Sequence, residues 1–151
     1  MLSTVVDWQR LADEQAIRAL LYRYARAVDT KDWALYRSVF TEDAVIDYTS
    51  AGAIAGSVDE VADWLEAAFG GIAMSMHHIT NIEILELDGE RAAVRALFYN
   101  PMQLPGHDEP SYFGGYYHHE LVRTQTGWCS AGLREETRWS AALPGAPRPP
   151  G

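Results

Sequence analysis

An α+β barrel, with N-terminal helices packed on one curved, mixed and mostly antiparallel sheet, is predicted by the order of two patterns. Apolar residues recur at helical spacing up to Gly71, and period-two alternation takes over from His78 onward. Turn signals at Asp88-Gly89 and Thr126-Gly127 then cut the second half into hairpins. Helices followed by antiparallel hairpins must bury the apolar stripe of the first against one face of the second. Such a sheet curls around its helices and leaves a cone-shaped cavity, where function is expected.

The elements follow in chain order. Residues 13–30 read as a helix capped by Asp13, with Ile17, Leu20, Leu21, Tyr24 and Val28 on one face. Asp29 falls near its end, where a carboxylate meets the negative pole of the helix dipole, so a tertiary partner is expected. A short second helix runs through Trp33, Leu35, Tyr36 and Phe40. The segment Ala44–Thr49 is a strand with Ala44, Ile46 and Tyr48 on one side. Ser57 and Glu60 make a capping box for a third helix that Gly70-Gly71 ends. Strands are predicted over His78–Leu87, Arg91–Leu104, Tyr112–Arg123 and from Trp128. Residues 1–143 form one domain, and the Pro-rich segment 144–151 is set apart as a tail.

Composition narrows the function classes. With 151 residues, 48% hydrophobic and 22% charged, the chain is long and apolar enough to bury a core. A net charge of -9 opposes binding to nucleic acid or to anionic membranes. No apolar run reaches the length of a membrane span, and the start MLSTVVDWQR lacks the features of a signal peptide. One cysteine, Cys129, allows no internal disulfide, which agrees with a cytoplasmic protein.

Side-chain parity singles out a histidine. Along His78–Leu87, His78 shares a face with Thr80, Ile82 and Ile84, so His78 is expected to point inward and His77 outward. An inward imidazole needs a hydrogen-bond partner, and Asp29 on the covering helix is the natural one. An aspartate on one ring nitrogen fixes the tautomer and leaves the other nitrogen free as a base. The alternative is a satisfied core histidine beside an ordinary helix-end residue. Tyr24 and Tyr48 lie on apolar faces, either polarising a substrate carbonyl or packing as core aromatics. His118 and His119 are adjacent in a strand, so only one can enter the pocket. No spacing supports a metal site, and no glycine-rich loop supports a nucleotide. Arg134 and Arg138 are either substrate anchors or exposed ion-pair formers.

Four segments carry a family resemblance: AIRALLYRYARAVDTKD (Ala16–Asp32), VIDY, MHHITNI and the ending GWCSAGLREETRW. Together, from about Trp8 to Trp139, they resemble the SnoaL-like branch of the nuclear-transport-factor-like superfamily, and more narrowly scytalone dehydratase and its bacterial relatives. The resemblance implies a cone-shaped α+β barrel and a catalytic aspartate–histidine pair at Asp29 and His78. It implies that Tyr48 and Tyr24 activate the substrate carbonyl and that Arg134 is an active-site arginine. The family's second histidine falls at Met102 and its water-activating tyrosine at Val28. Its polar serine and asparagine fall at Gly115 and Tyr117, and a lysine of the dehydrochlorinase branch falls at Tyr24. Phe98, Met102, Tyr117 and His119 join Arg134 as expected substrate contacts.

The function expected is therefore a lyase without cofactor or metal. It would act by dehydratase-like elimination on a small hydrophobic cyclic or polyketide-like carbonyl compound. The alternatives are an isomerase of the ketosteroid type, or a non-enzymatic binding protein or oxygenase small subunit. A homo-oligomer is expected because curved sheets of this type expose an apolar outer face, and the resemblance to the dehydratase branch implies a trimer in preference to a dimer.

Overall fold

The structure, a computed structural model, describes residues 5–145. Of the expected tail, Pro144 and Gly145 form a turn, and residues 146–151 lie outside the described residues. Helix α1 (Trp8–Asp29) is followed by α2 (Trp33–Ser38), strand β1 (Phe40–Asp47), β2 (Ala55–Ser57) and α3 (Val58–Phe69). Then come β3 (Met74–Ser75), β4 (His78–Leu87), β5 (Arg91–Gln103), β6 (Ser111–Thr124) and β7 (Gly127–Ala141). The sheet runs β2-β1-β7-β6-β5-β3, with β4 beside β3 along the same strand β5. Only β1 and β7 pair in parallel, so the sheet is mixed and mostly antiparallel. It curls around three helices into the α+β barrel read from the sequence.

Local chemistry explains the boundaries. The capping box at the start of α3 is complete: Ser57 Oγ accepts from Glu60 N, and Glu60 accepts from Ser57 N. Gly89 and Gly127 take φ of 97° and 116° at the two hairpin turns, a region closed to most other residues. The short strands β2 and β3 carry too few residues to show a period and were not predicted.

Helix α1 begins earlier than expected. Asp7, not Asp13, is its N-cap, accepting from Arg10 N at 3.0 Å. Asp13 is instead a buried side chain in the second turn. Its Oδ1 accepts from Arg123 Nη2 at 2.6 Å, Trp128 Nε1 at 3.2 Å and Gln9 Nε2 at 3.1 Å. This ties the start of α1 to the far ends of β6 and β7, with the Arg123 guanidinium stacked over the Trp128 ring.

Burial alone would raise the Asp13 pKa, but the hydrogen bonds from Arg123, Trp128 and Gln9 and the charge of Arg123 outweigh it and hold it below 3.8. A carboxylate depressed in the folded state stabilises fully above its unfolded pKa, and that contribution is lost as pH falls through the folded value. Asp13→Ala should cost about 1–3 kcal/mol near neutrality, by stranding the partners of a buried acceptor. Urea unfolding should show the gap between wild type and variant closing below about pH 4.

Candidate active site

The site is built where α1 ends over the sheet edge formed by β3 and β4. Asp29, the last residue of α1, accepts three hydrogen bonds there. Ser75 Oγ donates to Oδ1 at 2.9 Å, His77 N to Oδ2 at 2.8 Å and His77 Nδ1 to Oδ1 at 2.6 Å. These donors satisfy the carboxylate that the helix dipole disfavours. The imidazole side chain is 6% exposed, lies near-parallel to the Phe69 ring, and lines the cavity. With Nδ1 held by Asp29, Nε2 is the nitrogen left, and it makes no hydrogen bond among the described residues.

The partner of Asp29 is thus His77, not His78. The His78 ring is exposed, and its Nδ1 donates to the carbonyls of Met76 and Tyr99 at 3.2 and 3.1 Å. A β-bulge reverses the expected parity. Between the pairs Thr80–Leu97 and Glu83–Arg95, β4 advances three residues while β5 moves two. Asn81 absorbs the extra residue at φ 47°, a conformation asparagine tolerates better than most. Ile82 and Ile84 pack inward as expected, but before the bulge the inward phase belongs to His77 and Ile79. The apolar spacing Ile79, Ile82, Ile84, Leu87, three then two then three, is the signal that period-two reasoning passed over.

The cavity beneath the three helices measures about 240 Å³. Most of its wall is apolar, with Val28, Leu65, Phe69, Phe98, Met102 and Phe113 among the lining side chains. Its polar groups are His77, Tyr24, Tyr48, Tyr117, Asn100 and Glu135. The Tyr48 hydroxyl lies 2.8 Å from that of Tyr24 and 2.9 Å from that of Tyr36, so three buried phenols form one chain. Burial pushes the Tyr24 and Tyr48 phenols well above their ordinary pKa, with neighbouring tyrosines adding to the effect, so both remain donors at neutral pH. Asn100 Nδ2 donates to the Tyr117 hydroxyl at 3.1 Å, while the buried Asn100 Oδ1 has no partner among the described residues.

Phe98, Met102, Tyr117, Tyr24 and Tyr48 therefore all reach the cavity. Arg134 and His119 do not. Arg134 is exposed on the outer face of β7, paired in register with Asp47 of β1. His119 is buried behind the wall, edge-on to Tyr24 and Tyr117, with Nδ1 3.0 Å from Ser130 Oγ. Gly115, where the resemblance implied a polar position, sits against the backbone of Glu136, and a Cβ there would collide with that carbonyl.

Glu135 was missed. It follows Leu133 in the inward phase of β7, and Thr137 Oγ1 donates to its Oε1 at 2.8 Å. Burial raises its pKa, and the Thr137 hydrogen bond and the nearby His77 reduce that shift without cancelling it. Among the described residues no three His, Cys, Asp or Glu side chains cluster as a metal site, and no helix is long and apolar enough to cross a membrane.

Fold and cavity together define a class: small α+β barrels that close three helices over one apolar hollow with a few polar groups on its wall. The chain belongs to the SnoaL-like family, whose domain matches residues 9–134. An uncharacterized protein of Mycobacterium tuberculosis is 33% identical over 119 residues, 78% of this chain and 80% of its own. Among solved structures, a candidate scytalone dehydratase of Novosphingobium aromaticivorans superposes with a TM-score of 0.81 at 19% identity, covering 91% of this chain and 92% of that one. A hexachlorocyclohexane dehydrochlorinase of Novosphingobium barchaimii (LinA type 3) gives 0.79 at 19% identity, over 97% and 100%. At that identity the likeness is one of fold alone.

Two outcomes follow from the buried polar groups. Tyr48→Phe removes the shared partner of Tyr24 and Tyr36 and should destabilise the fold by about 1–3 kcal/mol in chemical denaturation. Burial, with a smaller effect from His118, lowers the His119 pKa from 6.5 to about 3. Between those values the unfolded chain binds a proton that the folded chain refuses, so stability should fall as pH drops through that window. His119→Gln should flatten that slope.

Proposed function

We propose that the protein is a cofactor-independent lyase that starts elimination on a small hydrophobic carbonyl compound by removing the proton next to the carbonyl. The observation that carries this reading is the Asp29–His77 hydrogen bond, which leaves Nε2 free on a ring that lines the cavity. Asp29 holds the tautomer in which Nδ1 bears the proton, so the Nε2 lone pair is the acceptor, and it stabilises the imidazolium that forms. The electron pair released from the C–H bond moves onto the carbonyl oxygen. Two of the three phenol protons in the Tyr36–Tyr48–Tyr24 chain are used within it, and the third, on Tyr24 or Tyr48 and kept there by burial, is the donor available to that oxygen. The apolar wall strengthens these interactions by keeping water from competing for them. Collapse of the enolate then expels a leaving group from the next carbon. A compact substrate of one or two rings suits the hollow, and its aromatic lining suits a planar one.

The base assignment is testable before the substrate is known. With 1-tetralone as probe in deuterium oxide, the wild-type protein should exchange the hydrogens next to the carbonyl, followed by NMR. His77→Gln should slow this by about 10²–10⁴-fold while leaving the melting transition in place. Exchange in His78→Gln should match wild type. A His77→Gln protein that exchanges as fast as wild type removes the base, and with it this reading.

A further inference from the structure

We infer that Glu135 is the acid that protonates the departing group, so that the base enters the cavity from the link between β3 and β4 and the acid from β7. This deepens the elimination reading and rests on it. A hydroxyl leaves carbon poorly as hydroxide and needs a proton as the bond breaks. Three observations point to Glu135 as the source. First, it is the one carboxyl side chain lining the cavity among the described residues. Second, its hydrogen bonding leaves it free to act. Both oxygens of Asp29 are engaged by Ser75 and His77, whereas Glu135 Oε1 takes one bond from Thr137 and Oε2 takes none among the described residues. Third, its surroundings are apolar and half-buried, beside the tyrosine chain, which favours the neutral carboxylic acid. No cation is paired with it among the described residues.

The proton balance closes. His77 Nε2 takes the proton from the carbon next to the carbonyl, and the C–H electrons form the enolate. As the enolate collapses, the neighbouring C–O bond breaks and its oxygen takes the Glu135 proton, leaving as water. The site then holds an imidazolium at His77 and a carboxylate at Glu135, each stabilising the other. Transfer of one proton from His77 to Glu135, through the released water, restores both groups. The net change is substrate to unsaturated carbonyl compound plus water, with no oxidant or reductant.

An acid needed only for a poor leaving group can be separated from a base needed for every substrate. The probes are 3-hydroxy-1-tetralone, which must lose water, and 3-acetoxy-1-tetralone, which loses acetate without needing a proton; both yield fluorescent 1-naphthol. Glu135→Gln keeps the size of the side chain and an oxygen for Thr137. It should lower turnover of the hydroxy compound by about 10²–10⁴-fold and leave the acetoxy compound near the wild-type rate. His77→Gln should lower both. Equal losses on the two probes in Glu135→Gln, or no loss on either, overturn the acid assignment while a His77→Gln defect leaves the base standing. Wild-type rates in His77→Gln, or a wild-type protein that accelerates neither tetralone, overturn the elimination reading itself. A second readout needs no turnover: the infrared difference between wild type and Glu135→Gln, as pH is lowered into the mildly acidic range, should contain the band of a protonated carboxyl. A spectrum unchanged by the substitution overturns the proposal.

Discussion

The carboxylate of Asp29 binds the end of α1 to the segment that leads into β4. Its three donors, one hydroxyl, one backbone N–H and one imidazole N–H, come from Ser75 and His77. Each is strengthened by the negative charge it meets, and together they fix the helix end, the backbone and the ring at once. A carboxylate at a helix C-terminus is unfavourable on local grounds, so its presence there requires partners from elsewhere in the chain. The same contact sets which nitrogen carries the proton on a ring that lines the cavity. Structure and candidate chemistry thus share one constraint.

Much of the architecture was legible because it rests on local signals. Capping at Ser57, glycine turns at Gly89 and Gly127, and the switch from helical to alternating periodicity are each decided within a few residues. The parity of β1 and of the residue just after it also followed the pattern, with Ala44, Ile46 and Tyr48 all buried. What escaped was the phase of β4. Alternation fixes a face only while the strand stays regular, and one inserted residue moves every earlier side chain to the other side. The extra residue at Thr80–Asn81 did this to the two adjacent histidines. The need of Asp29 for a tertiary partner was read correctly, and the identity of the partner was not.

A similar displacement affects the far wall. Arg134 attracted notice as a cation near the end of the last strand, but it lies on the outer face, and the residue after it reaches the cavity. Leu133 already marks the inward phase of β7, so Glu135 was within reach of the same parity argument. A carboxylate was easy to pass over because charge is costly to bury, and sequence gives no measure of whether that cost is met by a partner or by a retained proton.

Neighbouring residues on β7 and the two sides of the sheet separate the effect of chemistry from that of surroundings. Glu136 faces outward, where hydrogen bonds from His118 at 2.8 Å and from Arg138 lower its pKa. Glu135 faces inward, and burial raises its own. The outer His118–Glu136 pair has nearly the same contact length as the inner His77–Asp29 pair, yet the His118 side chain is 28% exposed against 6% for His77. On the outside, water competes for every proton and screens every charge, so the pair is worth little. On the inside, the same groups act in a medium where a displaced proton has few places to go. A histidine beside a carboxylate is therefore not itself a candidate site; the walls of the cavity make it one.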